Sequence, residues 1–91
     1  MRTELPKDWF ITLNSQKEFD VFLRWSVDNY YLDQHHLKAN AYQLPYFCGL
    51  KNNNAWYNNE VKETYGGNEI TIEEFEYLVL NKSTKPQYEI Y

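Results

Sequence analysis

Ninety-one residues make one domain and not two, and a domain of that size buries only a thin core. With 43% hydrophobic residues, disorder is excluded along most of the chain, and 3 Trp, 9 Tyr and 5 Phe supply the large side chains on which a thin core depends. A net charge of −4, with Lys and Arg scattered singly, argues against generic DNA or RNA binding, which relies on clustered cations.

No apolar run approaches the roughly 18 residues that a membrane span needs, and residues 1–7 lack the apolar segment of a signal peptide. The one cysteine, Cys48, has no partner for an internal disulfide, so the expected location is the cytoplasm.

In chain order, residues 1–8 read as a lead-in containing Pro6. Residues 9–13 (Trp-Phe-Ile-Thr-Leu) are aromatic and β-branched and predict a strand. Ser15 and Glu18 then form a Ser-x-x-Glu capping box. The helix that follows is expected over residues 16–31. Phe19, Phe22, Leu23, Ser26, Val27 and Tyr30 repeat at helical spacing and define its buried face. Trp25 and Val21 sit off that stripe, where they either widen the core or mark a contact surface. Residues 32–40 read as a polar connector.

Residues 41–50 predict a second strand, with Pro45 pointing to an edge or a bulge. Residues 51–54 predict a turn, since Asn tolerates positive φ. Residues 55–59 return as a third strand. Residues 60–68 are a loop broken at Gly66-Gly67. The clearest local signal is Glu69-Ile-Thr-Ile-Glu-Glu-Phe. Thr71 and Glu74 form a second capping box, and Ile70 with Phe75 a hydrophobic staple. The helix so started is expected over residues 72–80, burying Ile72, Phe75, Leu78 and Val79, with Asn81 as a left-handed cap. Residues 82–91 are a tail or a final strand.

The order β-α-β-β-α gives an α+β fold, a small antiparallel sheet with both helices packed on one face. Residues 9–81 form its folded core. Exposed strand edges and surplus aromatics also allow a homodimer.

Three stretches carry a resemblance: Tyr46-Phe-Cys-Gly-Leu, Trp56-Tyr57, and the run from Glu69 to Leu80. Together with the early Trp-containing strand, they resemble small phage and prophage proteins that have a Trp/Tyr/Gly hairpin and a C-terminal Ile-Thr-x-Glu-x-Phe helix. The likeness spans residues 9–81, and this chain departs from it at Pro45, at Cys48 and after Asn81. It implies a counter-defence setting, in which a small protein acts against a bacterial host or its immunity. It transfers no site residue.

Candidate chemistry is sparse. His35 and His36 are adjacent, so their side chains diverge and read as a solvated connector, not a metal pair. Cys48 reads as a small buried hydrophobe. Glu60, Glu63 and Glu69 flank a loop and read as surface. No catalytic residue, metal or cofactor is assigned. The candidate binding residues are Tyr46, Asn53, Asn54, Trp56, Tyr57 and Asn58 of the hairpin, with Trp25. Tyr and Trp give contact area at little entropic cost, and Asn gives adaptable hydrogen bonds.

The expected function is therefore non-enzymatic binding, as a phage-encoded inhibitor of a host or immune protein. One alternative is an oligomeric sponge for a cyclic nucleotide signal, with Trp56 or Tyr57 stacking on bases and Lys51, Lys62 or Arg24 meeting phosphates. A second is a small metal-dependent hydrolase using Glu69 or His36.

Overall fold

The computed structural model describes residues 3–61 and 67–81. The expected tail or final strand at 82–91, and Lys62, Glu63 and Gly66, lie outside the described residues.

Four strands form one sheet in the order β3-β2-β1-β4: β1 is Trp9–Leu13, β2 is Tyr46–Lys51, β3 is Asn54–Asn58 and β4 is Asn68–Glu69. Helix α1 covers Gln16–Asp28, and a 3-10 turn covers Gln34–Lys38. A last helix, α2, starts as α over Ile72–Glu74 and winds on as π-helix over Phe75–Leu80. The fold is α+β, as the periodicity requires. The sheet is mixed, not purely antiparallel, because the two-residue β4 runs parallel to β1. Asn68 N–H donates to Asp8 O at 3.1 Å and Ile70 N–H to Phe10 O at 2.8 Å, so the chain is laid along β1 just before α2 begins.

Both N-caps form, but only the second capping box is complete. Thr71 and Glu74 make the full reciprocal box, Glu74 N–H to Thr71 Oγ1 at 3.0 Å and Thr71 N–H to Glu74 Oε1 at 2.8 Å. At α1 only half the box closes within the motif. Glu18 N–H donates to Ser15 Oγ at 3.2 Å, but the Glu18 carboxylate takes the N–H of Asn14, one residue earlier than the motif predicts.

Three further expectations are corrected. First, α1 ends at Asp28, short of residue 31. Tyr31 N–H reaches back to Ser26 O at 2.8 Å and Tyr30 N–H to Val27 O at 3.1 Å, the paired bonds of a Schellman stop. Tyr30 takes the left-handed position of that stop (φ 66°), where glycine is usual, and is 95% exposed instead of buried. Tyr31 turns back and packs on Trp25 at 5.2 Å.

Second, the strand expected from residue 41 starts at Tyr46. The Gln16 side chain holds the preceding connector. It donates to Ala39 O at 3.4 Å and accepts from Ala41 N–H at 2.7 Å, which diverts that backbone from the ladder. Third, Asn81 is right-handed (φ −66°). Its N–H donates to Glu76 O, continuing the wider π winding instead of capping it.

The core lies between the sheet and the two helices. Trp9, Ile11, Leu13, Cys48 and Leu50 of β1 and β2 meet Phe19, Phe22, Leu23 and Trp25 of α1 and Phe75 and Val79 of α2. Ile70 and Phe75, the expected staple, are each 1% exposed. The Trp9 ring contacts Phe22, Trp25 and Phe75 with centroids 5.7–6.5 Å apart, so one tryptophan ties both helices to the first strand. No described helix is long and apolar enough to cross a membrane.

Candidate functional site: the two faces of the hairpin

The turn joining β2 and β3 is two residues long. Lys51 pairs with Asn54, while Asn52 (φ 53°) and Asn53 (φ 65°) are both left-handed, the geometry that matches the twist of flanking strands. Asp8 fastens this turn to the start of β1. Its carboxylate accepts from Asn52 N–H at 3.1 Å and lies 3.3 Å from Lys51 Nζ. The backbone hydrogen bond from Asn52, aided by Lys51, holds the Asp8 carboxyl below the usual carboxylate range.

Successive strand side chains point to opposite faces, and the register divides the candidate residues accordingly. Tyr57 is opposite Cys48 and Ile11, and Tyr46 is opposite Leu13, so both tyrosines share the helix side. Trp56 is opposite Gly49 and Phe10, and Asn58 is opposite Phe47 and Thr12, so these share the reverse face, together with Lys51 and Asn54. Asn53 stands at the turn between the two sets. Trp25 joins neither. It is 5% exposed and enclosed by Trp9, Phe22, Phe75 and Tyr31, so it widens the core.

On the helix side, Phe19 packs edge-on against Tyr46 at 4.9 Å and Tyr57 at 5.3 Å. His36 Nδ1 hydrogen-bonds Tyr57 Oη at 2.8 Å, and the His35 ring lies 4.3 Å from that of His36. The two imidazoles therefore lie against one another, and one of them is bound to the hairpin. This corrects the expectation of diverging, solvated side chains. The sequence offered no signal for that contact, because it joins residues 21 apart through the fold. Burial raises both phenols above the usual tyrosine value and pushes the Cys48 thiol well above its own. A thiol held protonated in an apolar setting is inert as a nucleophile.

On the reverse face, Phe10, Gly49 and Trp56 lie in one row across three strands. Their outer members are two strand spacings apart, about 10 Å, yet the Phe10 and Trp56 rings approach to 6.2 Å across the gap that Gly49 leaves. Only glycine fits at that position. An added Cβ would collide with Trp9 O and come within 2.8 Å of Phe10 Cα. Phe47 adds a third ring, 6.5 Å from Phe10. Sequence reasoning missed Phe10 and Phe47. The alternation of β1 against its buried neighbours was the signal that would have found them.

On this face Lys51 pairs with Asp8, and the Thr12 hydroxyl donates to the Glu69 carboxylate at 2.8 Å. No described helix packs there, since both contribute their apolar residues to the opposite side.

Among the described residues, no three His, Cys, Asp or Glu side chains converge into a metal-binding group. Glu69, on β4, and His36, against β3, stand at opposite edges of the sheet. Arg24 and Lys51 each face a carboxylate, at 3.9 Å from Asp28 and 3.3 Å from Asp8. The chain matches no protein family, and comparison with curated proteins and with solved structures gave no match.

Proposed function

We propose that this chain is a non-enzymatic binding protein that acts by stoichiometric contact with a larger protein, as a phage-encoded inhibitor of a bacterial host or immune protein acting in the host cytoplasm. The observation that carries this reading is the reverse face of the sheet. Phe10 and Phe47 lie there half-buried with ring centroids 6.5 Å apart, Trp56 packs beside Phe10 at 6.2 Å and is itself buried, and Thr12, Asn54 and Asn58 border them on the side away from both helices. A rigid strand platform presenting aromatic rings with amide neighbours is the composition of protein recognition surfaces. The groups available for chemistry support the same reading. Cys48 is buried and protonated, and the carboxylate and imidazole of the hydrolase alternative are separated by the width of the sheet. The nucleotide alternative is weakened by the carboxylates already facing Arg24 and Lys51.

Affinity capture from bacterial host lysate, read by mass spectrometry, tests the proposal. The wild-type chain is expected to retain one larger protein at a fixed ratio. Phe10→Ala and Phe47→Ala are expected to lose it while keeping the wild-type circular dichroism spectrum. Repeated capture of nothing, or capture indifferent to both substitutions, defeats the reading.

A further inference from the structure

β3 is an edge strand of the described sheet, hydrogen-bonded to β2 on one side and to no described strand on the other. Lys51 and Asn54 flank the two-residue turn, and such a turn closes on a pair that exchanges both backbone hydrogen bonds. Alternation from that pair directs the N–H and C=O of Asn54, Trp56 and Asn58 toward β2, and those of Ala55 and Tyr57 outward. Among the described residues, no hydrogen bond reaches these four outward groups. Edge strands of monomeric proteins are usually blunted by lysine, proline, a bulge or an inward charge. β3 has none of these: its sequence is Asn-Ala-Trp-Tyr-Asn, and its register with β2 runs without interruption.

We infer that the β3 edge is a homodimer interface, joined antiparallel to the β3 edge of a second copy about a two-fold axis at Trp56. The strand is close to a palindrome around that residue. The axis sets Asn54 opposite Asn58 of the second copy, amide to amide. It sets Ala55 opposite Tyr57, a small side chain beside a large one.

The hydrogen-bonding phase agrees. Ala55 and Tyr57 are the residues whose backbone faces outward, and this register brings them together. All four outward groups on each chain are thereby satisfied, as two pairs that each exchange two bonds. A slip of one residue would set outward groups against inward ones.

The electrostatics agree as well. The chain carries a net charge of −4, but no charged side chain lies within β3, so these pairs meet without like-charge repulsion. The axis is perpendicular to the sheet, so the two sheets become one of eight strands. All helices stay on one side, and the two aromatic faces lie together on the other. This inference rests on the edge and is independent of the function proposed for the face.

Sedimentation velocity on the purified chain across micromolar to sub-millimolar concentration tests it. The wild type is expected to associate reversibly to a dimer. Ala55→Pro removes one outward donor per chain at an edge position that tolerates proline, and should weaken the dimer by roughly tenfold or more. N54D/N58D sets like charges opposite each other at both ends of the interface and should weaken it comparably. N54D/N58K sets opposite charges there and should restore association. These two double variants decide the matter if Ala55→Pro fails to fold. A wild type that stays monomeric throughout overturns the inference, as does a dimer that tolerates N54D/N58D. A monomer that still captures a host protein leaves the proposed function standing.

Discussion

The two faces of this sheet carry three aromatic residues each, Trp9, Tyr46 and Tyr57 toward the helices and Phe10, Phe47 and Trp56 away from them, but only the first set packs against helix side chains. On the helix side, Trp9, Phe19, Phe22 and Phe75 are at most 1% exposed and interlock in edge-on and tilted contacts. On the reverse side, Phe10 and Phe47 are half-buried, Trp56 is 9% exposed, and their neighbours are Thr12, Lys51 and two asparagines. One residue of sequence separates Trp9 from Phe10 and Trp56 from Tyr57, yet the members of each pair serve different sides. An aromatic residue therefore says little about its role until the phase of its strand is known. The ring that stabilises the fold and the ring that presents a surface can be adjacent in the chain.

Four substitutions test the contrast, the largest expected effect first. Phe22→Ala removes a ring packed on Trp9, Trp25 and Phe75 and should cost about 3–5 kcal/mol, enough to unfold much of a domain this small. Urea denaturation measures it, and a loss as small as a surface substitution gives would erase the distinction between the faces. Phe47→Ala, on the other side, should cost only about 1–2 kcal/mol in the same measurement, because its ring is half-buried. Its main effect should fall on capture of a binding partner.

Tyr30→Gly should move stability the other way. The left-handed backbone at Tyr30 costs a side-chain-bearing residue about 1–2 kcal/mol, partly offset by the greater unfolded-state freedom of glycine, for a net gain of up to about 1 kcal/mol. Because Tyr30 is almost fully exposed, no burial is lost. A lower melting temperature in this variant would mean that the tyrosine ring holds something in place.

Asp8→Asn should have the smallest effect, visible in its pH dependence. The folded carboxyl titrates below its ordinary value of 3.8, so its contribution to stability is complete above that value and fades as pH falls through the folded pKa. The wild type should therefore melt slightly above the variant at neutral pH, and the difference should vanish in acid. A difference independent of pH would show that the Lys51 and Asn52 contacts do not depend on the carboxylate charge.

What the sequence determined by itself was local. Both helix starts, the staple of Ile70 and Phe75, the stripe of Phe19, Phe22 and Leu23, and the asparagine turn are each settled within a few residues, by capping, by spacing or by tolerance of positive φ. The α+β class followed from their order. The features that emerged only on folding involve partners distant in the chain. The parallel β4 depends on Asp8 and Phe10, 60 residues upstream of the groups they bind. The His36–Tyr57 bond, the enclosure of Trp25 and the division of the hairpin between two faces depend on register, which local composition leaves open. The early end of α1 and the late start of β2 were hidden for the same reason: the turn that packs Tyr31 on Trp25, and the clamp from Gln16 to Ala41, outweigh local preference only once the chain has folded back on itself.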